Sequence, residues 1–157
     1  MNNPAQQCAR EILETVPQVN LFIFDQIRRQ RTAGLLLPQY RALAFLSRIK
    51  NSSLSAVAAH LGLSLPSMSR LIDGLVASRL VRRQPVPTNR RQIALTLTVR
   101  GRATLEKGRN GIRLQLAGAL RDLPVDGQKD IHCAMKLLQK AFDHRAVTGT
   151  QSPKAKP

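Results

Sequence analysis

The stretch that decides the reading runs from Leu54 to Gly101, LSAVAAHLGLSLPSMSRLIDGLVASRLVRRQPVPTNRRQIALTLTVRG. Ser55 is placed to cap a short helix, Ala56 to Leu61. Gly62 then supplies the backbone freedom of a sharp turn. Ser64 is placed to cap a second helix, with Pro66 in its first turn. Leu65, Met68, Leu71, Ile72, Leu75 and Val76 follow helical spacing and predict its inward face. Two short helices joined by a glycine turn form a helix-turn-helix unit. After them, Ile93, Leu95 and Leu97 alternate with Gln92, Ala94, Thr96 and Thr98, the pattern of a half-buried strand. Leu80 to Gln84 is its partner, and Pro85 to Arg91 is a protruding hairpin tip, because two prolines cannot sit in a central ladder.

Working outward, the flanks read as helices. Toward the N-terminus, Pro38 opens a helix with Leu43, Leu46 and Ile49 on one face. Before it, Ala9, Ile12, Leu13 and Val16, then Val19, Phe22, Ile23 and Ile27, have helical spacing. Pro17 interrupts them, and Thr15 and Gln18 have the offset of a capping box. The expectation is a short helix, a break near Thr15, and a main helix from Val16 to Arg31; one kinked helix is the alternative. Toward the C-terminus, Thr98 is placed to cap a helix bearing Leu105, Ile112, Leu116, Leu120 and Leu123. Gly108, Gly111 and Gly118 within it mean either a weak helix or close approach of another. A last helix from Asp126 to His144 presents Ile131, Met135, Leu138 and Phe142. From Val147 the composition becomes that of a disordered basic tail. The fold class is therefore mainly α with a small β wing.

Charge narrows the function. The 157 residues carry 25 Lys and Arg against nine acids, a net charge of +16. Such an excess calls for a polyanionic partner. Aromatic residues are 3%, with no Trp, which argues against proteins that stack unpaired bases on exposed rings. Double-stranded DNA, read through phosphates and groove edges, is the better partner. No apolar run approaches the roughly 20 residues of a membrane span. The first residues lack the pattern of a secretory signal, so a cytoplasmic location is expected, with no membrane partner.

If the second helix of the pair turns Met68, Leu71, Ile72 and Leu75 to the core, then Pro66, Ser67, Ser69, Arg70 and Asp73 lie on its outer arc. Hydroxyls and a guanidinium there suit base edges and phosphates. Arg82, Arg83, Arg90 and Arg91 flank the neighbouring hairpin, with Asn89 beside the last two. Between Arg70 and Arg113 there are 11 Lys or Arg and 2 acids, a local net of +9. A charge run alone is commonly a solvated face. Beside a helix-turn-helix, an arginine at a narrow hairpin tip is suited to the minor groove.

These residues resemble the winged helix-turn-helix of the MarR-type transcriptional regulators. The resemblance is most specific at Ser69 to Asp73, at Asn89-Arg90-Arg91, and at Leu95 to Thr98 with Gly101. Leu37 to Leu43 is similar to the family's second helix. The resemblance implies a homodimer formed by N- and C-terminal helices, bound to a palindromic operator and acting as a repressor released by a small ligand. It implies major-groove contacts from Pro66, Ser67, Ser69 and Arg70, and a minor-groove contact from Arg91. It divides the chain into a dimerisation region (1–34), the DNA-binding domain (35–99), C-terminal dimerisation helices (100–146) and the tail (147–157). The family wing carries Asp where this chain has Asn89, which predicts a more mobile and more positive wing. A basic architectural DNA-binding protein of low selectivity is the alternative.

The resemblance also implies a small aromatic or lipophilic effector, for which Phe22, Phe24, Tyr40 and Phe45 are candidate contacts; plain core is the competing reading of all four. Cys8, near Arg10, could be a redox-sensing thiol, as in one branch of the family, although Tyr40 is the only tyrosine. Cys133 reads as a small buried hydrophobe. His60, His132 and His144 form no ligand cluster, so no metal or other cofactor is expected. No nucleophile triad, phosphate loop or carboxylate pair is present, and the chain reads as a non-enzyme.

Overall fold

The computed structural model describes residues 3–30, 34–86 and 89–148, without the side chains at 30, 89–92 and 143–148. It contains α1 (Pro4–Gln30), α2 (Leu37–Arg48), α3 (Leu54–Leu61), α4 (Leu65–Ala77), β1 (Val81–Val86), β2 (Asn89–Leu97), α5 (Val99–Leu120) and α6 (Val125–Thr148). Two compact units are present, residues 1–116 and 117–157.

The first unit holds the core. Leu43 and Leu46 of α2, Val57 and Leu61 of α3, and Met68, Ile72 and Leu75 of α4 converge on Val81, Leu95 and Leu97 of the hairpin and Leu105 of α5. Each helix is ended by local chemistry. The Ser53 hydroxyl caps α3 by accepting from the Ala56 N–H at 3.2 Å. The N-cap is thus Ser53 and not Ser55, so α3 starts earlier than the sequence pattern predicts. Gly62 closes α3 at φ 69°, with Leu63 N–H donating to Ala58 carbonyl at 3.0 Å. Ser64 caps α4 as expected, and Pro66 lies in its first turn. The far end of α4 closes in the same way, with Leu80 N–H donating to Leu75 carbonyl and Arg79 N–H to Val76 carbonyl, each at 2.9 Å. There the left-handed residue is Arg79, at φ 58°.

The hairpin is antiparallel, pairing Val81 with Leu97, Arg83 with Leu95 and Pro85 with Ile93, with a register shift between Pro85 and Val86. Ser52 bridges the other edge of β2, accepting from the Leu95 N–H at 2.8 Å. Strict alternation holds only near the body. Leu95 and Leu97 are buried, but Ile93 is 54% exposed, because it lies out along the hairpin opposite Pro85. Ala94, expected on the solvent side, is buried, since α2 and α3 also meet β2.

Three helical expectations need correction. α1 is a single helix through Pro17, with no break at Thr15. Its length leaves the first half of the helix exposed, and Ile27 near its end is the buried anchor. Leu65 faces solvent, because it is the first residue of α4 and precedes the buried stripe. Ile49 lies beyond the end of α2 and is also exposed. At α5, Thr98 caps as expected, its hydroxyl oxygen accepting from Gly101 N–H at 2.9 Å. Gly108 is buried, whereas a methyl group at Gly118 would meet only open space within this chain, so no helix of the same chain approaches that glycine among the described residues.

The second unit contains the end of α5 and α6. α6 begins at Val125 and exposes Met135, Leu137 and Phe142. Among the described residues, no helix is long and apolar enough to cross a membrane.

Candidate nucleic-acid interface

The arc of α4 opposite Met68, Ile72 and Leu75 is polar. Pro66, Ser67, Arg70 and Asp73 are exposed on it, and Ser69 is half-buried. The spacing 66, 67, 70, 73 forms one helical stripe. At its start the Ser64 hydroxyl accepts from Ser67 N–H at 3.4 Å and donates to the Ser67 hydroxyl at 2.9 Å. That contact fixes the Ser67 oxygen at the positive end of the helix, where a phosphate is favoured. Arg70 has no ion-pair partner among the described residues. Its guanidinium is free to meet a base edge or a phosphate.

The hairpin joins this face through one contact absent from the sequence reading. Arg83 of β1 pairs with Asp73 of α4, Nη2 to Oδ1 at 2.8 Å. Its neighbour Arg82 points to the other face of the strand, as strand alternation requires. There its Nε donates to the Thr96 hydroxyl at 3.1 Å, and it shares a cleft with Lys50 and Arg102. Arg82 and Arg83 therefore do not form one patch. Asn89, Arg90 and Arg91 belong to β2, but their side chains lie outside the described residues, as do Pro87 and Thr88.

Among the described residues, the four candidate effector contacts have different surroundings. Phe45 is core, 8% exposed, with its ring 4.5 Å from the His60 imidazole. Burial of His60 and the charges of Arg41 and Arg48 hold its pKa below the ordinary value. Arg41 sits 5.6 Å over the ring of Phe24, and Phe22 faces a shallow hollow lined by α1 residues alone. Tyr40 is half-buried on α2. Burial raises its pKa, partly offset by the charge and hydrogen bond of Arg109. Arg109 also donates to the Ser47 hydroxyl at 3.0 Å and pairs with Glu106, fastening α5 to α2.

Both cysteines are exposed, which corrects the expectation of a buried Cys133; its helix turns that side to solvent. No three potential ligands cluster into a metal site among the described residues.

Comparison with known proteins agrees with this geometry. Residues 33–92 match the MarR family. No curated protein matches the chain in sequence. Among solved structures, RV1404 from Mycobacterium tuberculosis aligns with TM-score 0.67 and 23% identity, over 91% of this chain and 97% of that one. The transcriptional regulator Tm0710 from Thermotoga maritima aligns with TM-score 0.70 and 18% identity, over 88% and 98%. An S. aureus MepR mutant bound to an oligodeoxyribonucleotide aligns with TM-score 0.56 and 14% identity, over 90% and 99%. At these identities the structural likeness speaks for the fold.

Proposed function

We propose that the chain is a DNA-binding transcriptional regulator of the MarR type, not an enzyme, that works in the cytoplasm as a homodimer on a palindromic operator; the match of residues 33–92 to the MarR family supports this reading. In this reading two α4 helices enter successive major grooves, with Pro66, Ser67, Ser69 and Arg70 toward the bases and backbone. Asn89, Arg90 and Arg91 reach the adjoining minor groove. Arg83 stays at the boundary, tied to Asp73. The observation that carries the reading is the exposed, unpaired Arg70 on a capped helix beside an arginine-bearing hairpin.

Dimerisation is supported by apolar surface that a monomer leaves in water. α1 exposes Leu13 (75%) and Leu21 (64%), and in the second unit α6 exposes Leu137 (66%). Surface of this kind marks an interface. Leu13→Glu with Leu21→Glu should shift the protein toward monomer in sedimentation and weaken operator binding together with it. A dimer of unchanged stability would remove α1 from the interface.

Repression with release by a small aromatic or lipophilic ligand rests on the family resemblance. Phe22, Phe24, Tyr40 and the buried Phe45 are its candidate contacts. A footprint tests the whole reading. Protection of a short inverted repeat, about 10³-fold above random sequence, is expected, and addition of the effector should abolish it. Steep salt dependence with no preferred sequence would favour the architectural alternative. Arg70→Ala should cost about 1–3 kcal/mol on the preferred site if it reads a base. An equal loss on every sequence would reassign Arg70 to a phosphate.

A further inference from the structure

Behind the hairpin, on the side away from the Asp73–Arg83 pair, lies a 220 Å³ cleft. Leu46 and Ser47 of α2 line it with Leu97 of β2; Lys50 and Asn51 belong to the corner after α2, Arg82, Gln84 and Thr96 to the base of the hairpin, and Arg102 to the first turn of α5. Three cations face this space and none has an acidic partner among the described residues. No Asp or Glu lines it.

Like charges held together without a counter-ion repel one another, so the arrangement is stabilised when an anion enters. The corner is prearranged for this. Asn51 is held at φ 56°, and the following Ser52 is buried, with its hydroxyl donating to Ile49 carbonyl at 2.7 Å and its carbonyl bound to β2. Thr96 uses its oxygen to accept from Arg82 Nε, which aims the guanidinium and leaves the Thr96 hydroxyl hydrogen to donate. Asn51 and Gln84 add amide donors. The volume is below the roughly 300–1,000 Å³ of pockets for drug-sized molecules, and an aromatic effector would find few apolar walls.

We propose that this cleft is a binding site for a small phosphate-type anion, inorganic phosphate or a compact phosphomonoester, held by Lys50, Arg82 and Arg102. The occupant is a free anion and not the DNA backbone, because the cleft lies on the strand face opposite Arg83, away from the outer arc of α4. A bound phosphate ties β1 to the α2 corner and to α5, so it stiffens the base of the hairpin. The cleft is lined by none of the candidate effector contacts Phe22, Phe24, Tyr40 and Phe45, and the proposal does not depend on operator recognition.

The test uses the full chain without DNA. Inorganic phosphate is titrated at constant ionic strength, with chloride as the balancing ion, and the thermal midpoint is followed. Phosphate should raise the midpoint of the wild type and of Arg100→Gln, a control outside the cleft, by the same amount. Lys50→Gln and Arg102→Gln should each lose most of that rise, with apparent affinity falling about tenfold or more. Both should fold normally, with midpoints in phosphate-free buffer no lower than wild type. A full phosphate response in both variants, or none in the wild type, would overturn the proposal. Binding to a random duplex in phosphate-free buffer should stay within about threefold of wild type for both variants. A loss there as large as the loss of phosphate affinity would reassign the cleft to the DNA backbone and overturn the free-anion site.

Discussion

Asp73 on α4 and Arg83 on β1 are joined by an ion pair of 2.8 Å, the direct polar link between the outer arc of α4 and the hairpin. Both side chains are partly exposed, so the pair contributes little to stability, about 1 kcal/mol at most. Its consequence is positional. It neutralises one arginine beside α4 and leaves Arg70 as the uncompensated cation on that helix.

Asp73→Asn should therefore shift the thermal midpoint only slightly. It should free Arg83 for a phosphate, tighten binding to random DNA and steepen the salt slope by about one unit per subunit. Salt titration of a random duplex checks this. An unchanged slope would show that Arg83 stays away from DNA even when released.

Gly101→Ala should be strongly destabilising. A methyl group at Gly101 would lie 2.0 Å from the Leu80 carbonyl oxygen, and backbone cannot yield as a side chain can. That carbonyl also accepts from the Thr98 N–H and from its hydroxyl, so moving it disturbs the α5 cap. A loss of about 1–3 kcal/mol is expected, read from denaturant unfolding. A loss below 0.5 kcal/mol, at the scale of ordinary surface changes, would mean that α5 can slide away from Leu80.

Arg79→Gly should act in the opposite direction. Arg79 holds a left-handed conformation at φ 58°, which disfavours residues with a Cβ, and glycine would close α4 without that strain. A gain of about 0.5–1 kcal/mol is expected in the same unfolding experiment. Destabilisation would show that the Arg79 side chain makes a contact worth more than the strain.

At the hairpin, Arg91→Ala should flatten the salt dependence of operator binding by about one unit per half-site. Asn89→Asp should keep the fold and reduce the salt sensitivity, because its carboxylate would hold the arginine and remove a positive excess. Salt slopes measured on one operator duplex compare the three proteins. If Asn89→Asp leaves the slope unaltered, the missing carboxylate is not what sets the charge of this wing.

Much of the geometry of the candidate site is legible in the sequence. The Ser64 cap, Pro66, and the buried triplet Met68, Ile72 and Leu75 together orient α4, and that orientation exposes Ser67 and Arg70. Where local pattern misled, a neighbour was responsible. Ile93 alternates correctly but has nothing beneath it, and Ala94 is covered from the side the pattern assigned to solvent. Pro17 carries a helix-breaking signal, yet α1 runs through it. Phe45, for which plain core is the competing reading, is buried.

The amino-acid order alone determined the helix-turn-helix and hairpin order, the Ser64 and Thr98 caps and the basic surplus, because each depends on residues within about one turn or one hairpin of each other. Which cations are neutralised and which stand free was decided only by folding. Arg82 and Arg83 are adjacent in the chain, yet one meets Asp73 of α4 and the other shares a cleft with Lys50 and Arg102. A strand sends neighbouring side chains to opposite faces, and only the packing of α2, α4 and α5 around it determines what each face meets.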